Sequence, residues 1–233
     1  MTQTNVDPIF GRVFYLCSIF CKNLKQMEQT KEEEFWNTLT HFIGLLLSLG
    51  GLPVLLYYNQ SQTALSSYSI LFFGFGLILL YAASTVYHFT SNFKLKEKFR
   101  VLDHISVFYL IAGSYAPVCL ITLYEGKGVS LFLAIIIITL LGTAFKVFYT
   151  GKFEKLSLLI YLAMGWLIIL DFNTVLALIE FKGILLMIVG GLLYSIGTIF
   201  YSLQKLKYTH AIWHVFVLGG SISHYFLVLY YII

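Results

Sequence analysis

Thr209-His-Ala-Ile-Trp-His-Val-Phe-Val-Leu-Gly-Gly-Ser-Ile-Ser-His-Tyr-Phe-Leu-Val-Leu-Tyr-Tyr-Ile-Ile233 runs for 25 residues without an Asp, Glu, Lys or Arg. At 1.5 Å of rise per residue, such a helix exceeds the roughly 20 residues needed to cross a bilayer, so this stretch is a transmembrane span. It opens with His210 and His214, which stand four apart on one helix face and about 6 Å apart along its axis, close enough to reach one metal ion. The other ligands have to come from other spans.

Composition supports a membrane protein throughout. The chain is 59% hydrophobic and 11% charged, with a mean hydropathy of +0.84, whereas a soluble domain carries about 25% charged residues. Seven apolar stretches bounded by polar residues fall at about 39–58, 68–89, 101–123, 129–148, 156–173, 183–202 and 209–232. None shows the alternation of a barrel strand, and lipid cannot satisfy an open sheet edge. The expected fold is therefore an all-α bundle of seven transmembrane helices, without internal repeat or long linker. Residues 38–233 form the bundle and residues 1–37 a separate N-terminal segment.

Within that segment, Val13 to Cys21 is too short to span and lacks the small-residue cleavage pattern of a signal peptide. It reads either as an interfacial helix or as an extension ahead of a start at Met27. Cys17, Cys21 and Cys119 make no even disulfide set and are expected as free thiols.

Of fifteen Lys and Arg residues, all but Lys127 and Lys182 fall before the first span or after the second, fourth and sixth. The positive-inside rule then places the N-terminus in the cytoplasm and the C-terminus outside, in the cell's inner or plasma membrane. The basic excess signals topology and not a nucleic-acid partner; membrane lipids are the expected partners. This orientation is opposite to that of G-protein-coupled receptors.

With depth assigned, His88 ends the second span, Asp103 begins the third, and His210 and His214 lie in the first turns of the seventh. All four reach the inner-leaflet level, and Ser84 lies one turn deeper than His88 on the same face. Three neutral imidazoles suit zinc and leave a fourth tetrahedral position for water, the pattern of a catalytic site. Asp103 would hydrogen-bond that water or act as general base, and Ser84 would orient a neighbour or donate to an oxyanion. His41 reads either as a group supporting the ligands or, preferably, as an interfacial residue; His104 points elsewhere, His224 is too deep, and Asp171 is a solvated carboxylate. Pro117 is read as a kink and Pro53 as a bend.

Ser84-xxx-His88, Asp103, His210-xxx-His214 and the Glu34-Phe-Trp-Asn-Thr-Leu-Thr-His41 approach to the first span together resemble the hemolysin III family of bacterial membrane proteins. That family is grouped with the progestin and adipoQ receptors and, more distantly, the alkaline ceramidases. The resemblance covers about residues 31–233. It implies that His88, His210 and His214 are zinc ligands, that Asp103 holds the metal-bound water, and that Ser84 stands beside it.

Three functions follow as expectations. The first is a zinc-dependent hydrolase of a lipid amide or ester at the inner leaflet, with the lipid chains inside the bundle. The second is a non-catalytic lipid sensor or receptor-like protein with structural zinc. The third is a membrane-perturbing hemolysin.

Overall fold

The computed structural model describes residues 29–203 and 206–233. The reading of Val13 to Cys21, the thiols Cys17 and Cys21, and Lys205 lie outside the described residues. The described residues form helices and connecting turns without strands, and seven helical spans are long and apolar enough to cross a membrane.

The first helix, α1 (Lys31–Tyr58), begins well before its apolar stretch. A capping box explains the early start: Glu33 N donates to Thr30 Oγ1 at 3.2 Å, while Thr30 N donates to Glu33 Oε2 at 2.9 Å. Glu32, Glu33 and Glu34 in the first turn also complement the helix dipole. Pro53 sits inside α1 without ending it.

α2 (Ser66–Phe89) matches its apolar stretch. α3 (Phe93–Pro117) starts at an Asn92 cap whose Oδ1 accepts from Leu95 N at 3.2 Å, so the basic residues Lys94, Lys96, Lys98 and Arg100 are helical. Beyond Pro117 the chain continues as a π-helical turn, Val118–Thr122, in which Leu123 N donates to Val118 O at 2.9 Å. Proline offers no N–H to the preceding turn, and the register slips by one residue where it would have bonded.

α4 (Gly128–Tyr149) carries Lys146 in its last turn. By sequence that lysine belongs with the loop cations; its side chain is instead fully buried, and Nζ bonds Glu154 Oε2 at 2.8 Å. The fifth span is not one helix. α5 (Glu154–Gly165) stops, a 3₁₀ turn spans Leu167–Asp171, and α6 (Phe172–Leu178) completes the crossing. Tyr115 of α3 bridges the break: its hydroxyl donates to Gly165 O at 3.0 Å and accepts from Ile168 N at 2.9 Å. In a bilayer, backbone groups freed by a break need such a partner. α7 (Phe181–Ser202) and α8 (Thr209–Tyr231) finish the bundle.

α2 and α3 form its centre, with α1 packed on both α2 and α8 and with α7 against α8. Close approach depends on glycine at two points. A Cβ on Gly76 would come within 2.5 Å of the Tyr109 carbonyl oxygen, and one on Gly44 would meet the Tyr81 ring at the same distance. The outward faces carry exposed apolar side chains such as Leu46, Leu141, Leu159 and Leu170. Lipid is the solvent that accepts such a surface. With seven crossings, the ends of α2, α4 and α7 and the start of α1 share one end of the bundle, called here the basic end for its Lys and Arg residues.

Candidate metal centre

At the basic end, the last turn of α2 delivers His88 and the first turns of α8 deliver His210 and His214. Each offers one ring nitrogen such that the three atoms lie within 4.8 Å of one another, a group that can hold a metal ion. His88 Nε2 and His210 Nε2 stand 3.2 Å apart. Two nitrogens bound tetrahedrally at 2.0–2.1 Å are separated by about 3.3 Å, so this edge already has the length a metal imposes.

Hydrogen bonds fix which nitrogens face inward. His88 Nδ1 lies 2.6 Å from Glu34 Oε2, and a carboxylate accepts, so Nδ1 carries the proton and Nε2 presents a lone pair. His214 Nδ1 donates to the Asn37 main-chain oxygen at 3.1 Å, with Thr40 Oγ1 at 3.2 Å, which leaves its Nε2 buried and without a partner. An orphaned imidazole nitrogen is costly in an apolar interior unless a donor or a cation meets it. The tautomers of His88 and His214 and the spacing of the three rings therefore fit a metal ion. Glu34 is itself held, its Oε1 accepting from Lys96 Nζ at 2.8 Å.

Asp103 is buried on α3. Because α3 begins at Phe93, Asp103 lies nearly three turns inside the helix rather than at its start, a depth that brings it to the level of Ser84 and within electrostatic range of His88. Ser84 is fully buried beside Asp103, its hydroxyl outside hydrogen-bond geometry with any protein group.

His41 corrects an expectation: it is not an interfacial residue. It is fully buried, and its ring stacks on that of His214 with centroids 3.5 Å apart and planes 16° apart. The helix extends two turns beyond the apolar stretch, which moves His41 from the rim to the interior. His104 does point elsewhere, toward Lys146 at 3.3 Å and Glu154 at 3.5 Å. His224 packs near Tyr194 and Gly190, away from the cluster, and half-buried Asp171 accepts from Thr174 at 2.7 Å.

A cavity of about 370 Å³ adjoins the cluster, lined mainly by apolar groups of α3, α5, α7 and α8. Asp103 and Trp213 stand in its wall at the basic end, and it follows α3 as far as Val118. That is about 22 Å of helix. Trp213 also packs on His210 and His214, with ring centroids 5.0 and 5.1 Å apart, so cavity and cluster share a wall.

A family model described as Haemolysin-III related matches residues 29–225. The chain belongs to that family. Among its relatives, Hemolysin-3 of Bacillus cereus is 38% identical over 213 residues, covering 91% of this chain and 97% of the relative. The Hemolysin-3 homolog of Bacillus subtilis (strain 168) is 40% identical over 203 residues, covering 87% and 95%. More distantly, the human Monocyte to macrophage differentiation factor is 26% identical over 205 residues, covering 84% and 83%.

Reading the sequence of this Haemolysin-III-related protein for ligands alone passes over the groups that orient them. Glu34, Asn37 and His41 recur at i, i+3 and i+7, the spacing of one helix face. That periodicity of polar residues, running into an apolar span, was the available signal.

Proposed function

We propose that this membrane protein is a zinc-dependent hydrolase of a lipid amide or ester, acting at the cytoplasmic leaflet of the cell membrane. The observation that carries the reading is the position of Asp103, which stands in the wall of an apolar-lined cavity of about 370 Å³ that shares Trp213 with the imidazole cluster. A catalytic carboxylate needs both neighbours.

His88, His210 and His214 would hold the zinc through Nε2, with Glu34 and the Asn37 carbonyl keeping two of the rings in the binding tautomer. Zinc bound by three imidazoles acts as a Lewis acid toward a carbonyl and lowers the pKa of water. Asp103 takes the proton from the attacking water on a carboxylate oxygen and returns it to the departing amine or alkoxide. Ser84 Oγ, beside Asp103, donates to the oxygen of the reacting carbonyl. The cavity receives the apolar chain and excludes water from it. The cationic residues of the basic end match the anionic cytoplasmic leaflet.

Asp103→Asn tests the reading. Purified protein carrying it retains zinc by elemental analysis yet gives no lipid cleavage by mass spectrometry; cleavage at the parent rate overturns the mechanism. A non-catalytic role is favoured by a different observation, that the cluster joins α2 to α8 while Glu34 ties α1 to both α2 and α3. A chelator that lowers thermal stability, in a zinc-loaded protein that turns over no lipid, establishes that role instead.

A further inference from the structure

His41 has no place in the scheme above, yet it is among the most confined side chains in the protein. Its ring is fully buried, lies flat on His214 at 3.5 Å, and meets the Tyr81 ring edge-on with centroids 5.1 Å apart. Neither ring nitrogen has a hydrogen-bond partner. A phenylalanine would supply the same stack and the same edge contact without burying two polar atoms, so packing alone does not account for an imidazole here.

Nor does the geometry make His41 a fourth ligand. An imidazole binds a metal in its own ring plane, and two planes tilted by only 16° and stacked at 3.5 Å do not meet within bonding distance of both rings. Asn37 Oδ1, on the residue whose main-chain oxygen holds His214, also lacks a partner. Unmet hydrogen-bonding capacity on His41, on Asn37 and on His214 Nε2, all at the imidazole cluster, calls for an occupant that is not a protein group.

We infer that His41 supplies a hydrogen bond to the exogenous polar group that sits beside His88, His210 and His214, and so helps select what that position accepts. The occupant has to be small and able to accept or donate a hydrogen bond: water, an amide, or a small anion. A neutral imidazole provides one donor and one acceptor, which suits each of these. The inference rests on the metal reading above, and the test separates the two.

The full-length protein is stripped with chelator, loaded with Co2+, and titrated with azide while the visible absorption of the cobalt is followed. His41→Phe keeps the stack and His41→Gln keeps a donor. The phenylalanine variant takes up cobalt to the parent stoichiometry but binds azide about tenfold more weakly, the worth of one hydrogen bond. The glutamine variant recovers most of that loss. Equal azide affinity in parent and His41→Phe overturns the role of His41 while leaving the metal centre intact. Loss of cobalt from both variants also overturns it, in favour of a purely structural imidazole, and a parent protein that takes up no cobalt overturns both readings.

Discussion

Removing the carboxylate behind His88 should weaken metal binding in a graded way. His88 Nδ1 has Glu34 Oε2 at 2.6 Å, a charge-assisted contact that holds the ring's tautomer and raises the basicity of Nε2. Losing a partner of this kind typically lowers metal affinity by about 10- to 100-fold, equivalent to about 1.4–2.7 kcal/mol. Glu34→Gln retains an acceptor oxygen but not the charge and belongs near the lower bound. Glu34→Ala removes both, and also frees Lys96, which Glu34 holds at 2.8 Å, so it belongs near the upper bound. Zinc competition against a chromogenic chelator in detergent measures the affinities. Thermal unfolding of the zinc-free variants separates any stability lost by the apoprotein, since the Lys96 pair is partly exposed and worth little by itself. An affinity within twofold of the parent for Glu34→Ala would refute the claim that Glu34 tunes a metal ligand, and would make its contact with His88 a helix tie only.

Two further substitutions test the fold around the site. Tyr115→Phe leaves Gly165 O and Ile168 N unpaired inside the bundle and costs about 2–4 kcal/mol in equilibrium SDS unfolding, with faster amide exchange at Ile168; unchanged exchange there would show that the break does not depend on Tyr115. Lys146→Met removes the buried partner of Glu154, whose partly exposed carboxylate keeps Gly151 N and Arg100, and costs about 1–3 kcal/mol by the same assay, whereas adding Glu154→Gln recovers part of the loss; a double variant no more stable than the single one would refute the pairing.

What the sequence discloses and what it withholds divide along a physical line. Burial against lipid is decided by composition over some twenty consecutive residues, so the span from Thr209 to Tyr231 and its six partners stand out without any knowledge of packing. Ligands behave similarly: His210 and His214 share a helix face by spacing alone, and His88 joins them once the depth of each span is assigned. Interactions between helices carry no such local mark. The break at Gly165 is held by a hydroxyl fifty residues away, and Lys146 looks like a loop cation until Glu154, from the next helix, is seen to neutralise it. His41 is the instructive intermediate. An apolar run starting beside it suggests a residue at the membrane surface, but Thr30 and Glu33 cap the helix two turns earlier and carry the imidazole inward. A polar capping signal upstream, not the hydrophobic boundary, sets where a transmembrane helix begins and therefore which of its side chains reach the interior. For this protein that difference converts an anchoring residue into a ring stacked on His214.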